Sequence, residues 1–151
     1  MTEEPVVLVE WDNRYSVGIA LIDDQHKELI RLTNDLYQGC LAGNEEAEDF
    51  FFKTVRQVLD YTKFHFSAEE KLMENVRYPN YAEHRKQHED FVMQMLNDVK
   101  SFQEGKKFVP NNFVRYLKDW ILSHIAIMDT LYAKYIHELK KQGTLGNVIG
   151  I

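Results

Sequence analysis

Tyr61-Thr62-Lys63-Phe64-His65-Phe66-Ser67-Ala68-Glu69-Glu70 is the stretch on which the fold turns. His65 and Glu69 stand four residues apart. On a helix that spacing puts an imidazole and a carboxylate on one face, one turn above the other, where both reach a single metal ion. Taken alone, the pair reads more readily as an i,i+4 contact on a solvated face. Its meaning depends on what the rest of the chain brings to the same depth.

Around that stretch lie 151 residues, enough for one domain with a substantial core. With 44% hydrophobic and 28% charged residues the composition is that of an ordinary globular protein. Seven glycines and three prolines favour long uninterrupted elements over many turns, so helices are expected. A net charge of −6 argues against nucleic acid and against an anionic membrane surface as partners. No apolar run has the length of a signal segment or a spanning helix, and a cytoplasmic location is expected. The single cysteine, Cys40, excludes an internal disulfide and a cysteine-based metal site, and is expected to be a small core residue.

Residues 1–22 keep no sustained period and read as an extended arm whose aromatics, Trp11 and Tyr15, lay it across the body of the domain. Asp23 or Asp24 then caps a first helix, with Ile22, Leu29, Ile30, Leu36 and Tyr37 on a 3.6-residue stripe and His26 among them. A break at Gly43-Asn44 precedes a second helix carrying Phe51, Val55, Val58, Thr62, His65, Phe66, Glu69 and Met73 inward to about Asn75. Pro79 closes it. Asn80 opens a third helix, with His84, His88, Phe91 and Met95 inward, and Gly105 with Lys106-Lys107 ends it. Pro110-Asn111 begins a fourth, whose inward face reads Phe113, Leu117, Trp120, Ile121, His124, Ile127, Met128, Leu131 and Tyr135. The expected fold is all-α: an antiparallel up-down-up-down four-helix bundle over about 23–141 with the N-terminal arm and a short tail over about 142–151, forming one domain over 1–151.

Five of the six histidines fall on predicted inward faces, and each buried imidazole needs a partner. His137, about 220° around the helix from His124, is read as surface. His84 and His88 form an i,i+4 pair suited to gripping one ion. His124 and Asp129 are five apart, about 140° off a common face, so either the helix widens locally as a π turn or the two act from different sides of a two-metal centre. The second is preferred. Antiparallel packing brings the groups of the last three helices level, whereas His26 is offset by about 12 Å. A longer first helix or a climbing connection would absorb that offset.

If two six-coordinate ions share Glu69 and Asp129 as bridges, together with one solvent-derived oxygen, five imidazoles fill all but one of the remaining positions. The odd number makes one ion saturated and leaves the other open. Two buried carboxylates need cationic compensation, which also favours metal. The glutamate and Glu-x-x-His pattern of ferritin-like di-iron bundles is not present.

Trp11-Asp12-Asn13-Arg14-Tyr15-Ser16-Val17-Gly18, Ile22-Asp23-Asp24-Gln25-His26-Lys27, His65-x-x-x-Glu69, His84-x-x-x-His88 and His124-x-x-x-x-Asp129 together resemble the hemerythrins, and within them the single-domain bacterial branch, over roughly residues 9–140. The resemblance implies two iron ions joined by an oxo or hydroxo bridge. His84, His88 and His124 would hold the saturated iron and His26 and His65 the open one, with Glu69 and Asp129 bridging. It also implies O2 as the ligand of the open iron, with Phe66, Trp120 and Ile127 lining the oxygen pocket. Reversible O2 binding for storage, delivery or sensing is the leading functional expectation, without catalysis. A di-iron redox enzyme acting on nitric oxide, peroxide or O2 is the alternative, and a sensor module with a separate delivery or redox partner is a third.

Overall fold

Residues 7–41, 45–104 and 110–143 are described by the structure, a computed structural model. The expected break at Gly43-Asn44, the stop at Gly105 to Lys107, the side chain of Cys40 and the tail from residue 144 lie outside them. The apolar period is realised as four helical rods. α1 spans Ala20–Leu41, α2 Glu45–Asn75 and α3 Tyr81–Gln103. The fourth rod consists of α4, Pro110–His124, and α5, Thr130–Lys141, joined by a π turn over Ile125–Asp129. α1 packs on α2 and α4, and α2 on α3, so the all-α four-helix bundle has its chain neighbours side by side.

The helix ends follow local chemistry. α1 begins before Asp23, because the Asp23 carboxylate turns back to accept from Ser16 Oγ and from the Val17 amide at 2.8 Å, while its own N–H donates to the Ile19 carbonyl. At the end of α2 the Tyr78 amide donates to the Met73 carbonyl and the Arg77 amide to Glu74, with Arg77 at φ 55°. That is a Schellman stop, built on a residue other than glycine. Asn80 holds the N-cap position of α3 without a side-chain capping bond.

The arm is fastened at two places. The Asn34 side chain accepts from the amides of Leu8 and Val9, both at 3.0 Å, and donates to the Val9 carbonyl at 2.7 Å. Near the end of α5, His137 Nε2–H donates to the Val17 carbonyl at 3.0 Å. His137 is therefore half-buried and structural, contrary to its reading as surface. Gly18 is at φ 76°, and a Cβ there would come within 2.8 Å of His137 Nε2, so this position needs glycine twice over.

Two apolar clusters fill the bundle. One includes Leu36, Phe51, Val58, Phe91 and Leu117; the other includes Ile22, Met73, Tyr132 and Ile136. On every rod the histidines and carboxylates singled out above fall between or beside the two. The π turn decides the inward face of the fourth rod. One extra residue per turn carries Ile125, Asp129, Tyr132, Ala133 and Ile136 into the interior and turns Ile127 and Leu131, 61% and 47% exposed, toward solvent. The straight-helix stripe expected beyond His124 is thus out of phase.

Candidate metal centre

His26 on α1, His65 and Glu69 on α2, His84 and His88 on α3, and His124 and Asp129 at the ends of the π turn are all buried and converge at one level. The donor atoms form two sets. Glu69, His84, His88, His124 and Asp129 make one; His26, His65, Glu69 and Asp129 make the other. The axial offset expected for His26 is absent, since its Nε2 lies 3.0 Å from Asp129 Oδ2 and its ring 4.7 Å from that of His65.

Asp129 is the hinge of the arrangement. Its Oδ1 stands 3.1 Å from both His84 Nε2 and His124 Nε2, while Oδ2 faces His26. The preference for ligation from two sides over a widened helix needs correcting: the widening is there. With i→i+5 bonding, His124 and Asp129 come onto one face, and the carboxylate still reaches both sets.

Distances test whether a metal fits. His124 Nε2 is 3.0 Å from His88 Nε2 and 3.0 Å from His84 Nε2. Two ligands about 2.1 Å from one ion are about 3.0 Å apart at right angles and about 3.4 Å apart at the tetrahedral angle, so the spacing fits an octahedral position. His26 Nε2 and all four oxygens of Glu69 and Asp129 are buried with no hydrogen bond of good geometry among the described residues, although nitrogens lie as near as 2.6 Å. The donor atoms of each set lie within 4.8 Å of one another, a crowding of acceptors that fits ions.

The electrostatics agree. Burial pushes the Glu69 and Asp129 carboxyls up, and their mutual repulsion opposes Glu69, but the imidazoles around them prevail and hold both below the ordinary range, Asp129 well below it. Burial, assisted by His124 and His84, brings His88 down to about 3 against the pull of Glu69. It is a neutral imidazole with a free lone pair at neutral pH. His124 is raised: burial lowers it, but Asp129 outweighs burial.

Aromatic rings wall the set. Phe66 stacks on His88 at 3.7 Å, and Trp120 stacks on His124 at 4.5 Å. A cavity of about 10 Å³ is bounded by His26, His65, His124 and Asp129, and otherwise by Leu29, Thr62, Phe66, Trp120, Ile121 and Ile125. Phe66 and Trp120 are among the residues that line this cavity, whereas Ile127, expected beside them, is turned outward by the π turn and Ile125 lines the cavity instead.

Three neighbours escaped the sequence reading. Gln25 Oε1 accepts from His65 Nδ1–H at 2.6 Å, and Glu70 Oε2 accepts from His88 Nδ1–H at 3.2 Å. Tyr132, fully buried, turns its hydroxyl toward Glu69, and burial, followed by the Glu69 and Asp129 charges, suppresses its acidity. Gln25 and Glu70 each adjoin a motif residue in sequence, and Tyr132 lies one turn past Asp129; those adjacencies were the available signals.

The residues matched by known proteins include this centre. Residues 17–136 match the family model of the hemerythrin HHE cation binding domain. A bacteriohemerythrin of Stenotrophomonas maltophilia is 30% identical over 87% of this chain and 83% of its own length. One from Methylococcus capsulatus is 28% identical over 84% and 95%. A crystal structure of wild-type hemerythrin superposes with a TM-score of 0.79 at 28% identity, covering 85% of this chain and 97% of that one. Two donor sets between the apolar layers of a four-helix bundle, in a chain matched along most of its length, place this protein in the hemerythrin family.

Proposed function

We propose that this chain binds O2 reversibly at a carboxylate-bridged pair of iron ions. His84, His88 and His124 serve one ion, His26 and His65 the other, and Glu69 and Asp129 both. The observation that carries this reading is the split of Asp129, whose two oxygens address two nitrogen groups beside a cavity sized for one small molecule. Ferrous iron held there would lend electrons to O2 and recover them when O2 leaves.

The chain's own residues supply the rest. The unequal division of imidazoles, three against two, directs an incoming ligand to the His26 and His65 side, where the cavity lies. Leu29, Phe66, Ile121 and Ile125 keep water from that side, and exclusion of water and protons slows irreversible oxidation of the iron. Thr62, a hydroxyl on the cavity wall, donates instead to the Val58 carbonyl at 2.7 Å. Apart from the donors themselves, the described lining offers no acid or base to process a substrate, which favours binding over turnover.

The test is iron content per chain together with the visible spectrum under air and under argon. Two irons, and a charge-transfer band that appears in air and bleaches under argon over repeated cycles, are expected. A band that never bleaches overturns reversible binding. Sustained consumption of peroxide, nitric oxide or O2 with an added reductant would move the assignment to the redox enzyme.

A further inference from the structure

The Nδ1 atoms of the five converging imidazoles are not treated alike. Those of His26, His84 and His124 are buried with no hydrogen-bond partner among the described residues. The two that have partners belong to different donor sets, and the partners differ in charge. His65 donates to the neutral amide oxygen of Gln25, while His88 donates to the carboxylate of Glu70. Both bonds fix the tautomer that leaves Nε2 bare toward the centre. Glu70 sits 3.6 Å from the exposed Arg85 guanidinium and, with 22% of its side chain exposed, lines a groove of about 510 Å³ between α2 and α3. Gln25 is buried.

We propose that Glu70 and Gln25 are positioning residues that make the two metal positions electronically unequal. Glu70 enriches the saturated side through His88, and Gln25 leaves the open side leaner through His65. The inference rests on the di-iron reading. A carboxylate accepting the Nδ1 proton draws the imidazole toward imidazolate, which makes Nε2 a stronger donor and favours the ferric state. An amide oxygen orients the ring equally well with less of that effect. With both ions ferrous at rest, the position served by His88 would give up its electron at the lower potential and the position served by His65 at the higher one.

The experiment uses the iron-loaded full chain, with midpoint potential by spectroelectrochemistry and iron content as readouts. Glu70→Gln keeps the hydrogen bond and removes the charge; it should shift the ferric-to-ferrous binding ratio about tenfold toward ferrous, a potential rise of about 59 mV. Gln25→Glu should shift the potential the opposite way. Glu70→Asp should restore the wild-type value. A merely structural role would move both variants the same way, through iron loss. Two irons with unchanged potentials, or shifts of one sign in both variants, overturn the inference. If Glu70→Gln fails to hold iron, Gln25→Glu decides alone: a lower potential supports the inference and an unchanged or higher one overturns it. A wild-type protein without an iron pair overturns the di-iron reading itself, before any variant is compared.

Discussion

Asp129 addresses two nitrogen groups with two oxygens, so losing this one side chain removes a ligand from both sets. Glu69 belongs to both sets as well, whereas His88 belongs to one. Glu69→Ala and Asp129→Ala are therefore expected to leave fewer than two irons per chain with no paired-metal spectrum, and His88→Ala to lose one position while its partner is weakened. Elemental analysis decides; an unchanged two-to-one ratio would remove the residue from the ligand set. Acid stability belongs to the same scale. In the folded metal-free protein His88 titrates near 3, below its ordinary 6.5, so the unfolded chain takes the proton first. The stability His88 contributes is full above pH 6.5 and lost as pH falls toward 3. Glu69 and Asp129, also depressed, add losses of the same sign at lower pH. His124 is raised, so its contribution is full below 6.5 and is lost as pH climbs through its folded value. The urea midpoint of metal-free protein should therefore peak near pH 6.5 and fall on both sides. A midpoint still rising at pH 5 would contradict the His88 shift.

The π turn is the element that an ideal helix could not foretell. From sequence, the His124 to Asp129 spacing showed that something other than a plain helix was needed, but two remedies satisfied it. Only packing distinguishes them, because the cost of the extra residue is recovered where Tyr132, Ala133 and Ile136 dock against Ile22 and Met73. Removing the extra residue should restore a continuous α-helix without disturbing the phase of α5. Deletion of Ala126, exposed in the turn, is expected to preserve helical content and cooperative melting. Deletion of Lys134, equally exposed but inside α5, should swing Ile136 and His137 off their contacts and cost several kcal/mol. Circular dichroism melts compare the two directly, and equal damage from both deletions would contradict this account of the turn. Of the helices with uninterrupted period, Glu45–Asn75 was legible almost to the residue and ends where Pro79 required, whereas α1 begins at Ala20, ahead of the cap expected at Asp23 or Asp24. Arg77 at positive φ carried no sequence signal, since glycine is the usual marker.

Across the described residues, a polar layer parts two apolar clusters, and the layer holds two buried carboxylates whose charge is offset by the imidazoles around them. Metal bound to the folded state alone adds its binding free energy to stability. With free metal at about a hundred times its dissociation constant that is about 2.7 kcal/mol, and stripping with a chelator should lower the melting midpoint by roughly 5–10 °C. Identical melts before and after stripping would mean that the folded chain holds metal no more tightly than the unfolded chain does. At this scale the sequence disclosed the bundle and the histidines and carboxylates that converge in it, because periodicity and spacing are local properties. It did not disclose Asn34 as the arm's anchor or His137 as its latch, because a polar side chain on a half-exposed face looks the same whether or not a strand crosses it. The latch also orders events in time. Val17 and His137 are 120 residues apart, and His26 meets Asp129 across nearly as long a stretch. On the ribosome the arm can seat on Asn34 once α1 has emerged, but its latch at Val17 waits for α5, and the two donor sets stay incomplete until Asp129 is made. A chain whose synthesis has not passed the π turn holds neither donor set complete, so an ion that needs every donor of a set binds after translation rather than guiding it.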